Sequence, residues 1–281
     1  MKLPIFIGVL CLPLYTLATI ISYTPIQKNV TLYSEYFPNP ASSFKGTVIF
    51  FNGSGTPAIE WTMNTHFFQC VSQKNSVFLY DRSGLGGSPP NLTLSPKNTN
   101  DAKLIDWQLW ALLQKQHIPG PYVVVAHSYG GLYGGYFALK HPRVVKAMVM
   151  VDPAPRDFEY SKDIVDAFAA PVQDAEKHPA SYMVTHYSGP HVETAYLMLG
   201  FKASKAEVKA LGSIDDNTPV VIASSTQMEY KERPIKGDWM MQQKQWLNKN
   251  PKSKIFQLKS GHFIQIDQPD IICDQITMLT R

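Results

Sequence analysis

Residues 122–142 read YVVVAHSYGGLYGGYFALKHP, and the fold is decided there. The β-branched run Val123-Val124-Val125 stops at Ala126-His127-Ser128-Tyr129-Gly130-Gly131, and a helix-like pattern follows at once. Such a run reads as a buried strand, and small residues on either side of Ser128 let the backbone bend tightly into a helix. The serine hydroxyl is then exposed at the C-terminal end of the strand, where the helix N-terminus favours negative charge. This is the pattern of a nucleophile elbow.

Outward from the elbow, strands and helices alternate. Upstream, Val30–Phe37, Lys45–Phe51 and Ser76–Tyr80 read as strands, with helical spacing from Ala58 to Ser72 and from Asn100 to His117. Downstream, Val144–Val151, Val220–Ala223 and Ser253–Leu258 read as strands, with helices around Asp238–Asn248 and Pro269–Leu279. This order calls for a mostly parallel sheet covered on both faces by helices. The alternation breaks between Asp157 and Asn217, where short helix-like pieces and prolines replace any strand. A gap of that length reads as an insertion over the C-terminal edge of the sheet, where open α/β sheets bind ligands.

The chain has 281 residues, enough for one large domain, or a domain with an inserted lid. Its balance of 26 basic and 22 acidic residues gives a formal charge of +4, too mild and dispersed for nucleic-acid binding. Residues 1–22 place Lys2 before an apolar run, with Thr16-Leu17-Ala18 as a small-x-small cleavage site. They read as a signal peptide. The alternative is an uncleaved membrane anchor, and membrane contact is expected only through this segment. Either reading puts the body of the protein outside the cytosol, secreted or periplasmic. The expected organisation is therefore a leader at 1–22, a core at 23–156, a lid at 157–217 and the rest of the core at 218–281. Asn29, Asn52 and Asn91 begin N-x-S/T sequons.

The segment around Ser128 resembles the G-x-S-x-G motif of α/β-hydrolases, with Ala126 where the first glycine usually stands. Other segments resemble the same family in the expected order. Asn52-Gly53-Ser54-Gly55 follows the strand KGTVIFF, Asp81–Ser88 resembles the Asp-Arg-x-Gly-x-Gly-x-Ser loop, and Ser260-Gly261-His262-Phe263 follows the last strand. The resemblance implies an α/β-hydrolase fold and a serine esterase or lipase-like activity. It implies Ser128 as nucleophile and His262 as base, in the order serine, acid, histidine. For the acid it leaves two positions. Asp152, in Val151-Asp152-Pro153-Ala154, matches lipases that carry the acid on the earlier strand; Glu229 lies near the more usual place, one strand later. The oxyanion hole would be formed by the backbone amides of Ser54 and Tyr129. Cys70 and Cys273 remain after the leader's Cys11 is set aside. The resemblance puts their helices on one face of the sheet, which leaves a disulfide or two free buried thiols.

Serine is a weak nucleophile until a base within hydrogen-bond reach, itself oriented by a third group, takes its proton. The expected chemistry is acyl transfer to water from a small-molecule ester, through an acyl-enzyme, with no metal or cofactor implied. A serine at the elbow argues against dehalogenase and epoxide-hydrolase chemistry, for which the family uses aspartate there. Rival readings are the same triad acting on thioester, amide or carbon–carbon bonds, and a catalytically silent binding protein. Substrate identity and oligomeric state are not legible at this level.

Overall fold

The computed structural model describes residues 18–226 and 239–281. Its strands are β1 (Ile20–Gln27), β2 (Val30–Phe37), β3 (Thr47–Phe51), β4 (Ser76–Tyr80), β5 (Tyr122–His127), β6 (Val145–Val151), β7 (Val220–Ser225) and β8 (Lys254–Leu258). They form one sheet in the order β1-β2-β4-β3-β5-β6-β7-β8. β2 pairs antiparallel with both β1 and β4, and every pairing from β4 across to β8 is parallel. The helices are α1 (Thr65–Ser72), α2 (Ala102–Lys115), α3 (Gly130–Lys140), α4 (Lys162–Ala167), α5 (Ala169–Ala175), α6 (Ala180–Met183), α7 (Gly189–Ala210), α8 (Trp239–Gln243), α9 (Ile264–Asp267) and α10 (Pro269–Leu279). None among the described residues is long and apolar enough to cross a membrane.

The central strands are mostly apolar because both sheet faces are covered. Successive side chains of β3 and β5 point to opposite faces. Ile49, Phe51, Val124 and Ala126 join a core built with α2 and α3, while Val48, Phe50, Val123 and Val125 join one built with α1 and α10. This double burial fixes the sheet's plane and leaves the strand C-termini at one open edge.

Three local features differ from the sequence reading. The helix expected from Ala58 to Ser72 is split into a 3₁₀ turn at Ala58–Trp61 and α1, because Asn64 restarts the helix by accepting a hydrogen bond from the Phe67 amide at 3.0 Å. Strand β1 was not foreseen. It begins at Ile20, inside the expected leader 1–22, and carries Pro25 beside a register shift, which an edge strand tolerates and an interior one does not. The third difference is in 157–217, which holds α4, α5, α6 and a 22-residue helix, α7, rather than short pieces alone. Leu197, Phe201 and Val208 of α7 join the core above α2 and α3, whereas Val192, Ala195 and Tyr196 pack with Ala175, Ala180 and Met183 in a smaller core of the insertion. One helix thus anchors the insertion to the body.

Cys70 on α1 and Cys273 on α10 form a disulfide with Cα atoms 6.2 Å apart. It closes a loop spanning 203 residues, so its main effect is to restrict the unfolded chain. Replacing both cysteines by serine should cost about 2–5 kcal/mol. A lowered midpoint in denaturant unfolding would register it, and an unchanged midpoint would mean the crosslink contributes nothing to stability.

Candidate active site

The elbow forms as its sequence requires. Ser128 follows β5 with φ of 52°, and its backbone is pinned on both sides. Its amide donates to Val151 O at 3.1 Å, and its carbonyl accepts from Gly131 N at 2.9 Å and Ala154 N at 2.8 Å. A Cβ on Gly130 would collide with the Phe51 and Asn52 carbonyl oxygens, so α3 can start there only with glycine. Ala126 fits where the family motif has glycine because Gly134 faces it across the strand–helix contact; a Cβ built there would stand 3.1 Å from the Ala126 Cβ.

Asp152 occupies the matching place on the neighbouring strand. It follows β6 with φ of 41°, and its amide donates to Ala223 O at 2.7 Å. A non-glycine residue in this region costs on the order of 1–3 kcal/mol, so two adjacent strands each end in a strained residue of the site. His262 comes from the loop after β8. Its Nδ1 lies 2.7 Å from Asp152 Oδ2 and its Nε2 2.9 Å from Ser128 Oγ. The expected serine, histidine and aspartate are thereby brought into one hydrogen-bonded chain. Glu229, the alternative acid, lies outside the described residues.

The Asp152 carboxylate is fully buried, yet its second oxygen accepts from Ser225 N at 3.1 Å, Trp239 Nε1 at 2.6 Å and Gln243 Nε2 at 3.0 Å. Burial pushes this carboxyl up, but its hydrogen bond and charge interaction with His262, with the Ser225 and Gln243 donors, outweigh that and hold it below its ordinary value. Asp152 is therefore an anion that accepts the Nδ1–H of His262. For His262, burial lowers the pKa more than Asp152 raises it, and the nearby His127 adds to the lowering. The ring is neutral near pH 7, with its Nε2 lone pair directed at the Ser128 hydroxyl.

The turn after β3 packs directly against the serine. A Cβ on Gly53 would stand 3.4 Å from Ser128 Cβ and 3.2 Å from His127 Nδ1. Gly53 N donates to Glu60 Oε1 at 2.9 Å, and the other oxygen of Glu60 lies 3.2 Å from His127 Nδ1. His127 Nε2 in turn donates to the backbone carbonyl of His262 at 3.1 Å. This buried Glu60–His127 pair therefore links the turn to the loop that carries His262. The amides of Ser54 and Tyr129 donate to no group among the described residues, and both residues line the cavity in front of Ser128.

That cavity has a volume of about 210 Å³. Its walls include Phe158, Tyr160, Ile164 and Phe168 from the insertion, Met198 from α7 and Trp239 from α8. Other aromatic residues of the insertion serve packing: Tyr196 is in the smaller core of the insertion, Phe201 in the main core, and Tyr182 stacks between His178 and His186.

Sequence reasoning missed Glu60, His127, Trp239 and Gln243. Only His127, adjacent to the serine, carried a signal. The other three act through distances that no spacing in the chain announces.

The chain belongs to the alpha/beta hydrolase family, whose model matches residues 48–275. Among its relatives is the uncharacterized protein YqjL of Bacillus subtilis strain 168, 27% identical over 227 residues, covering 80% of each chain. The fold is similar to carboxylesterase CesB from Bacillus subtilis, with TM-score 0.63, 12% identity, and coverage of 94% of this chain and 92% of that one. It is also similar to haloalkane dehalogenase DatA from Agrobacterium tumefaciens C58, with TM-score 0.65, 16% identity and coverage of 94% and 97%. Hydrolytic chemistry is common to these two neighbours, but the bond they cleave is not.

The elbow's tolerance can be measured. Gly130→Ala should destabilise the protein by about 1–3 kcal/mol, since both obstacles to its methyl group are backbone carbonyls. A thermal melt that matches the parent's would show that β3 and the elbow can move apart.

Proposed function

We propose that the protein is a serine hydrolase of carboxylic esters. The observation that carries this reading is the hydrogen-bonded chain from Ser128 Oγ through His262 to Asp152, at 2.9 Å and 2.7 Å. A hydroxyl, not a carboxylate, stands at the elbow, which favours acyl transfer over displacement at an sp³ carbon. The carboxylesterase CesB, a structural neighbour, agrees with this choice; the dehalogenase DatA shares the fold alone. The aromatic cavity suits the apolar part of an ester. The Cys70–Cys273 disulfide supports a location outside the cytosol.

In the proposed reaction, Ser128 Oγ attacks the ester carbonyl as its proton passes to His262 Nε2. Asp152, accepting from Nδ1–H, stabilises the imidazolium. The tetrahedral oxyanion is held by the amides of Ser54 and Tyr129. His262 then returns the proton to the departing alkoxide, leaving an acyl-serine and a free alcohol. Water attacks the acyl-serine by the same route, with His262 again the base, and releases the carboxylic acid.

Turnover of p-nitrophenyl esters tests the assignment. Ser128→Ala should lower kcat by on the order of 10⁶, as happens when a triad serine is removed. Asp152→Asn should lower it by on the order of 10⁴, since the imidazole then loses its orienting anion. Residual turnover close to the parent in Ser128→Ala would sink the serine mechanism. An Asp152→Asn variant close to the parent would remove Asp152 as the acid. No hydrolysis of any ester by the parent would favour thioester, amide or carbon–carbon substrates.

The pH profile supplies a separate check. Only neutral His262 can accept the serine proton, so kcat/KM should rise with pH through the pKa of this residue. Burial lowers that pKa, so the midpoint of the acid limb should fall below the ordinary histidine value of 6.5. A midpoint above 6.5 would contradict the described environment.

A further inference from the structure

Arg82 and Glu193 form an ion pair shielded from solvent, with Nε and Oε1 2.7 Å apart and side chains 2% and 0% exposed. They come from distant parts of the chain: Arg82 follows β4, and Glu193 lies near the start of α7 in the insertion. Desolvating two charges is expensive, and such a pair is a poor stabilising device compared with apolar side chains of similar volume. Its remaining hydrogen bonds point to a different role. Arg82 donates from Nη1 to Asn52 O at 2.9 Å and from Nη2 to Gly53 O at 2.7 Å. Glu193 Oε2 accepts from Gly55 N at 3.1 Å.

With Glu60 on the Gly53 amide, the backbone of the turn after β3 is held before and after Ser54. The Ser54 amide between these points is left over. Backbone approach makes this arrangement possible: Gly55 adopts φ of 63° against Thr194, and Gly84 and Gly189 meet where a Cβ on Gly189 would collide with the Gly84 carbonyl. The loop after β4, the turn after β3 and the start of α7 are therefore locked together around one ion pair.

We propose that Arg82 and Glu193 are positioning residues that aim the Ser54 amide at the reaction's oxyanion. The insertion 157–217 then contributes to transition-state stabilisation through α7, besides walling the cavity. This rests on the ester-hydrolase reading above. An amide fixed before the charge develops costs no reorganisation at the moment of reaction, and misplacing a reacting group by about 1 Å can cost about 100-fold.

Three variants test it: Glu193→Gln, Arg82→Gln and the double Arg82→Gln/Glu193→Gln. Each is assayed for kcat and KM on a p-nitrophenyl ester, for melting temperature, and for the rate at which a fluorophosphonate labels Ser128. Glu193→Gln should lower kcat by about 10-fold to 100-fold with KM within about twofold of the parent, because the loss falls on the transition state. The labelling rate should fall in proportion, since the phosphoryl oxygen uses the same donor. The acid-limb midpoint should stay in place, because the pair does not touch His262. Each single variant also strands a buried charge and should melt lower; the double variant removes both charges and should regain stability. Low kcat and slow labelling in a double variant of restored stability would support the proposal even if the singles fold poorly. Recovery of kcat together with melting temperature would overturn it, leaving the pair a purely structural role. Parent protein that the fluorophosphonate does not label would instead overturn the ester reading, and the proposal with it.

Discussion

The structure around Ser128 depends on one buried carboxylate. Asp152 has no solvent to stabilise its charge, so the protein must surround it with donors, and it does so from three separate segments: β7, α8 and the loop after β8. Removing water from a carboxylate is costly unless hydrogen bonds replace it. Once they do, the anion becomes a fixed point in space. The His262 imidazole is oriented by it, and the serine hydroxyl meets that ring only because β5 and β6 are neighbours in register.

A second set of buried polar pairs lies around the turn after β3. Glu60 with His127, and Glu193 with Arg82, hold the turn after β3 at separate points along its backbone. Glu60, Arg82 and Glu193 use their spare oxygens and N–H groups on backbone atoms of that turn, while His127 donates to the His262 carbonyl. Among the described residues, the amides of Ser54 and Tyr129, which face the cavity, are left without partners, as are the buried side-chain oxygens of Asn52 and Thr56. A rigid frame with a few unspent donors is what electrostatic preorganisation looks like in a polypeptide.

Much of this was legible in the chain because it is written in short-range patterns. The run of valines before Ser128, the glycines after it, and the position of His262 beyond the last strand all report local geometry, and the sheet follows from their repetition. The lost parts have physical reasons. β1 is an edge strand whose residues overlap an apolar leader-like run and include a proline, so no period of two stands out. In α7, the face that packs on the body and the face that packs on the insertion together bury residues around much of the helix, which blurs the apolar stripe expected of a surface helix. Arg82 was legible only as part of a glycine-rich loop resembling a family motif. Glu193, more than a hundred positions away, had no pattern connecting it to that loop.

Ser128 and Asp152 sit on one continuous β5–α3–β6 unit, whereas His262 lies 134 and 110 positions beyond them. A chain made from its N-terminus therefore carries two members of the constellation long before the third exists. Until β8 has paired with β7 and the following loop has reached Asp152, no imidazole from that loop faces the serine. Before α8 is made, the Asp152 carboxylate also lacks that helix's two donors. The constellation is thus assembled late in the chain, and a copy cut before His262 would hold the serine and the carboxylate without the imidazole that joins them.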